Sequence, residues 1–287
     1  MDNHHIKNLS GLILATLLIS TSGVLGKYIA MPSEIIVWFR SLFAMIILFA
    51  FCKFKKINLK FYDRKTPLPL LISSLFMAVH WITYFYALKL SNVALGMLSL
   101  YTFPVITALL EPVFLKTKFN LIHVYLGIIM LIGVFILAPE FSLESSDVKG
   151  ILFGLFSALC YSIRILILKK LVQNYHGSML MFYQTFVITI ILAPILFFMD
   201  VSGFQSQLPY LLILAIVTTA IGHSLMIHSL KFFSASTATL ISGIQPVFGI
   251  IIAFIFVNEI PSLNTFWGGL LILSTVFIET IRSKKSI

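Results

Sequence analysis

Residues 88–120, LKLSNVALGMLSLYTFPVITALLEPVFLKTKFN, and residues 230–262, LKFFSASTATLISGIQPVFGIIIAFIFVNEIPS, are two versions of one segment. At a shift of 142 positions Leu88-Lys89 meets Leu230-Lys231, Leu98 meets Leu240, Pro104-Val105 meets Pro246-Val247 and Phe114 meets Phe256. The register continues downstream, where Leu121, Gly127 and Leu131 fall on Leu263, Gly269 and Leu273, and Val134-Phe135-Ile136 falls on Val276-Phe277-Ile278. Leu, Ile and Phe matches alone are expected by chance in an apolar chain; Pro and Gly carry backbone meaning, so their agreement marks an internal duplication. Towards the N-terminus a shift of 139 pairs Gly11 with Gly150.

Both copies sit in a chain made for lipid. Of 287 residues, 59% are hydrophobic and 10% charged, and the mean hydropathy is +1.04. A soluble domain carries about 25% charged residues. So little charge cannot cover a water-facing surface, so the bilayer covers much of it. Pro, Gly and charge divide the chain into ten apolar spans of about 20 residues each, the length a membrane helix needs: 9–29, 34–52, 67–88, 92–115, 120–138, 149–170, 177–199, 208–229, 233–256 and 263–281. The run after Lys7 is long enough to span and is followed by no small-residue cleavage site, so it reads as a retained helix and not a signal peptide.

The expected fold is therefore an all-α integral membrane protein with ten transmembrane helices as two five-helix repeats, 9–138 and 149–281. An odd number of helices per repeat makes the second copy enter from the opposite side, which inverts it. Links as short as Lys89–Ser91 leave no room for a large domain outside the membrane. Fifteen of the twenty Lys and Arg residues, Lys53 to Lys65 among them, fall on the side holding both termini, against Lys27, Lys89 and Lys149 on the other. By the positive-inside rule both termini are cytoplasmic, in the plasma (bacterial inner) membrane. The excess of basic charge follows from topology and anionic lipid; no basic stripe with interleaved aromatics points to nucleic acid.

Ionisable and aromatic side chains inside spans are the candidates for chemistry. Arg40 lies about 9 Å into the second helix at 1.5 Å per residue; it either snorkels outward towards Glu34 or meets a substrate carboxylate. His80, beside Trp81, shares a helical face with Tyr84, and Tyr101 reaches comparable depth. His223 and Gln245 fall near mid-membrane. Glu111 and Arg164 agree in depth, which suggests an ion pair acting as an inner latch, with Glu111 also suited to proton coupling. Pro104 and Pro246 are paired interruptions of the kind that point to a binding site in inverted repeats. Tyr161 follows Cys160, and that cysteine and Cys52 read as packing residues. Four-residue spacing of small residues (Gly150, Gly154 and Ala158; Ala235, Thr239 and Gly243) suggests close helix packing. His4-His5 lies in an N-terminal tail.

Several of these residues resemble the drug/metabolite transporter superfamily, EamA type. Gln245-Pro246, then Asn258-Glu259 and Gly268-Gly269, carry the resemblance in the second half. Tyr101-Thr102-Phe103-Pro104 and Lys116-Thr117-Lys118 carry it in the first, Thr117 standing where members commonly have Glu. Trp38-Phe39-Arg40 is similar to the family's Phe-Arg motif and Cys160-Tyr161-Ser162 to its Cys-Trp-Ala motif. The resemblance implies a ten-helix, exporter-like fold with a central cavity lined mainly by helices 1, 3, 4, 6, 8 and 9.

These readings converge on a secondary transporter that exports or exchanges small polar metabolites, such as amino acids, by alternating access. The expected substrate-binding set is Arg40, His80, Trp81, Tyr84, Tyr101, Tyr161, His223 and Gln245; the expected gating or coupling set is Glu111, Arg164, Pro104 and Pro246. No catalytic or metal-binding set, no cofactor and no nucleic-acid partner is expected; the partners are a small-molecule substrate and the lipid bilayer, with the unit a monomer or a homodimer. A membrane-embedded lipid-modifying enzyme is the alternative, but it needs Asp-rich, His-Glu-x-x-His or phosphate-loop motifs that the chain lacks; a non-transporting helper subunit would not require the inverted repeat. The topology is testable by accessibility labelling. Single cysteines at Lys60 and Lys285 are expected to label from the same, cytoplasmic face; labelling from opposite faces removes the antiparallel duplication.

Overall fold

The computed structural model describes residues 3–116, 118, 121–137, 142 and 144–284. Thr117, Glu140 and Lys285 lie outside the described residues. Ten helical spans follow one another: α1 (Asn3–Tyr28), α2 (Ser33–Phe54), α3 (Pro67–Leu90), α4 (Val93–Leu115), α5 (Ile122–Leu137), α6 (Ser146–Leu171), α7 (Gly177–Phe197), α8 (Phe204–Ser229), α9 (Ala235–Val257) and α10 (Leu263–Lys284). Eight are long and apolar enough to cross a membrane by length and composition, and the shorter apolar α5 and the terminal α10 complete two sets of five. Helices satisfy their backbone groups internally, as the bilayer interior demands. Their polar side chains turn inwards while Ile46, Phe254, Phe256 and Trp267 stay exposed on the outside, the reverse of a water-soluble surface. His4 and His5 belong to the first turn of α1 and form no separate tail.

The duplication is visible in chemistry as well as in helix order. Lys27 at the end of α1 donates from Nζ to the carbonyls of Leu88 (2.9 Å) and Ser91 (2.6 Å), at the α3–α4 turn. At a shift of 142, Lys169 at the end of α6 donates to Leu230 and Phe233, both at 2.8 Å. Asn92 caps α4 by accepting from Leu95 N at 2.9 Å, and Ser234 caps α9 by accepting from Thr237 N at 3.0 Å. Lys116 and Asn258 end α4 and α9 in the left-handed conformation, at φ 57° and 56°. The shift of 142 thus holds back to the ends of α1 and α6. The expected pairing of Gly11 with Gly150 is not reproduced in environment: Gly150 packs on Ser91 and the Ala87 carbonyl, whereas Gly11 has nothing within 4 Å.

Close approach of backbones fixes the bundle where small residues allow it. A side chain at Gly154 would collide with Ser99, and one at Gly268 with the carbonyl of Gly133, which brings α10 against α5. Cys52 and Cys160 are buried free thiols, as expected of packing residues.

The paired lysine clamps give a direct test of the repeat. A charged donor to carbonyls contributes about 1.5–3 kcal/mol. Lys27→Met and Lys169→Met are each expected to cost about that much and to match one another closely in thermal unfolding of the purified protein. A large loss in one and none in the other argues against equivalent roles.

Candidate functional site

α4 and α9 are both interrupted midway. α4 breaks at Tyr101 and Thr102 and resumes at Phe103; α9 passes through a tight 3-10 turn, Ser242–Ile244, and resumes at Gln245. Pro104 and Pro246 stand in the first turn of each resumed segment, where a residue without an N–H is tolerated. The prolines therefore begin second half-helices and do not simply bend continuous ones.

Between the breaks lies a central cavity lined by Ile19, Ser22, Arg40, His80, Trp81, Tyr84, Leu100, Tyr101, Phe103, Tyr161, His223 and Gln245. All eight residues of the expected binding set line it, and every lining residue is buried. The free volume is about 20 Å³, room for about one water, so the site is occluded. The walls come from α1, α3, α4, α6, α8 and α9, with α2 added by Arg40.

Arg40 does not snorkel. It is 1% exposed and donates from Nε to Thr219 Oγ1 (2.5 Å) and from Nη2 to Thr218 Oγ1 (3.0 Å). Its guanidinium lies 3.8 Å from the centroid of the Trp81 ring, a desolvated cation–π contact. Glu34, the proposed outward partner, accepts instead from Tyr86 Oη at 2.5 Å. Both threonines belong to a stretch of α8, Leu214–His223, that is wound as a π-helix. Such wide turns concentrate at functional sites.

Arg164 is fully buried behind Tyr161, whose ring centroid is 5.4 Å from the guanidinium. The expected Glu111–Arg164 ion pair is not formed. Arg164 donates from Nη2 (2.9 Å) and Nε (3.3 Å) to Gln184 Oε1, and Gln184 in turn donates to Ser73 Oγ at 2.8 Å. Glu111 instead accepts from the Ser236 hydroxyl near the start of α9. The two charges differ in depth: Ser162 donates to the Phe103 carbonyl, which sets Arg164 about two residues past Phe103 along α4, whereas Glu111 stands eight residues past it.

His80 and Tyr84 stack at 6.2 Å, as their shared face requires, and Tyr161 packs 4.7 Å from His80. The Ser157 hydroxyl donates to the His80 carbonyl (2.9 Å), so the ring Nδ1, 2.7 Å from that hydroxyl, is the donor to it. Nε2 is then left as an acceptor. The Tyr101 hydroxyl donates to Gln245 Oε1 across the two breaks. His223 lies 5.5 Å from Trp81, its partner at the shift of 142, and its Nδ1 has no hydrogen bond. Among the described residues no group of three or more His, Cys, Asp and Glu could hold a metal ion.

Some lining residues escaped the sequence reading. Ser22 belongs to the polar run Ser20-Thr21-Ser22 inside an apolar helix, and Thr218-Thr219 is a similar run in α8; each was a readable signal. Ile19, Leu100 and Phe103 carry none.

An all-helical bundle of two inverted repeats around an occluded polar and aromatic cavity, in a lipid-facing scaffold, defines a multi-pass membrane transporter, not an enzyme. The chain belongs to the EamA-like transporter family, whose model matches residues 7–138 and again 148–280. It is 24% identical to the uncharacterized transporter YxxF of Bacillus subtilis over 94% of this chain and 88% of that one. Identity to the pseudopaline exporter CntI of Pseudomonas aeruginosa is 24% over 96% and 97%, and to the S-adenosylmethionine uptake transporter of Rickettsia conorii 22% over 98% and 95%. A solved crystal structure shares the fold, with a TM-score of 0.73 at 17% identity over 97% of this chain and 98% of that one.

The Arg164 network yields a stability prediction. Gln184→Leu takes the amide oxygen from a buried guanidinium and is expected to cost about 3 kcal/mol. Arg164→Met combined with Gln184→Leu is expected to recover most of that loss in thermal unfolding; an additive pair of losses contradicts the network.

Proposed function

We propose that the protein is a secondary transporter that exports or exchanges a small polar metabolite, of the size of an amino acid, by alternating access. The occluded cavity carries this reading: both repeats contribute to it, it lies between paired helix breaks, and it holds buried side chains that a purely structural core would not place together. The resemblance to an exporter supports the direction. The inner membrane location is supported by the 24% identical inner membrane transporter YicL of Salmonella typhimurium. The distribution of Lys and Arg supports cytoplasmic termini.

Arg40, His80, Trp81, Tyr84, Tyr101, Tyr161, His223 and Gln245 form the binding site in this reading. Pro104 and Pro246 mark the points where the second halves of α4 and α9 begin. Glu111 acts at the start of α9, at one mouth, and Arg164 braces Tyr161. The test is counterflow of a metabolite panel in proteoliposomes, with and without a pH gradient. His80→Ala is expected to reduce uptake about tenfold with normal expression, through loss of the Ser157-held ring. Glu111→Gln is expected to alter the rate while sparing binding. Unchanged kinetics in both variants would remove them from the site.

A further inference from the structure

The two buried guanidiniums are answered only by neutral groups. Arg40 has two threonine hydroxyls, and Arg164 has an amide oxygen, the Met181 sulfur and the Tyr161 hydroxyl beside it. In each, Nη1 has no hydrogen-bond partner, although Arg40 is 1% exposed and Arg164 0%. Arginine does not shed its proton in a protein. The centre of the molecule therefore holds two positive charges in a low-dielectric setting where an unpaired ion is strongly disfavoured. Among the described residues no carboxylate lines the cavity. Glu34, Glu111 and Glu259 are occupied elsewhere, by Tyr86, Ser236 and the backbone N–H of Val93 respectively.

The mouths carry lysines in excess over carboxylates, with Glu34 near Lys89 and Glu111 near Lys169. Lys27 and Lys89 border an open vestibule of about 440 Å³ on one face. Their partners at the shift of 142, Lys169 and Lys231, belong to the α6 end and the α8–α9 turn of the other repeat. Positive charge at an entrance raises the local concentration of anions and turns cations away.

From these observations we infer that the substrate is a small organic acid bearing two carboxylates, one seated on the free Nη1 of Arg40 and the other drawn towards Arg164 past the Tyr161 ring. This rests on the transport reading and deepens it. A single carboxylate, whether of a monoacid or of a zwitterion such as leucine, leaves one guanidinium uncompensated; a second acid group answers the pair. The aromatic walls of Trp81, Tyr84, Tyr101 and Tyr161 would enclose the carbon skeleton, and His80 Nε2 would accept from a hydroxyl or amino group if the acid carries one.

The experiment is thermal unfolding of the full-length protein in nanodiscs, with succinate, glutamate, propionate, leucine and lysine as probes at matched ionic strength. Succinate or glutamate at millimolar concentration is expected to raise Tm by about 3 °C or more, as a ligand confined to the folded state does. Propionate, leucine and lysine are expected to leave it within about 1 °C. Arg40→Met is expected to abolish the response and to leave the empty protein at least as stable as wild type. A response to leucine, lysine or propionate equal to that of the diacids overturns the assignment, as does no diacid response or a full response in Arg40→Met. Should that variant not fold, the wild-type panel decides alone. Counterflow separates the two readings. Carriage of a neutral or cationic metabolite without the diacids sinks the charge assignment and leaves transport standing; diacid binding without any flux sinks transport and leaves the site.

Discussion

A guanidinium sealed inside a lipid-embedded bundle must have its donors answered by protein or ligand, because no water is at hand. Arg40 and Arg164 impose that condition at the centre of this molecule. Arg40 is flanked by the Trp81 face and the Thr218-Thr219 pair, which ties α2 to α3 and α8. Arg164 draws in Gln184, and through it Ser73, which ties α6 to α7 and α3. The local arrangement of five helices can be read as the accommodation of two charges.

The inverted repeat explains the frame but not this centre. Backbone-level features recur at the shift of 142: lysine clamps, N-caps, left-handed ends and proline starts. Side chains facing the cavity do not. Trp81 meets His223, Phe103 corresponds to Gln245, and Arg164 corresponds to Ser22. Near opposite mouths, the Glu34–Tyr86 hydrogen bond occupies the place taken in the other repeat by His176 and His228, whose rings are 5.6 Å apart. Duplication kept what two halves need in order to fold alike, while the side chains lining the cavity diverged.

Much of this was legible in the sequence, for reasons that can be named. Lipid requires long apolar runs, so the spans showed themselves; Pro and Gly constrain backbone, so the repeat did too. Polar and aromatic residues are costly in spans, so those found at mid-depth pointed to the cavity without a structure. The partners were harder. Depth along one helix can be counted at 1.5 Å per residue, but the offset between two helices cannot, and the contact of Ser162 with the Phe103 carbonyl sets Arg164 well short of Glu111. Gln184, a neutral amide in an apolar helix, gave little sign that it would serve a buried cation. The Thr218-Thr219 run stands out as polar in an apolar helix, but nothing in the sequence ties it to Arg40 on α2.

The threonine clasp on Arg40 lies within the wide winding of Leu214–His223. The hydroxyls of Thr218 and Thr219 both also return to the carbonyl of Leu214, at 2.5 and 3.1 Å, so the same two side chains serve the loosened ladder and the cation. The hold on the cation and the slack in the coil thus rest on the same two side chains, and a change at either is felt by the other.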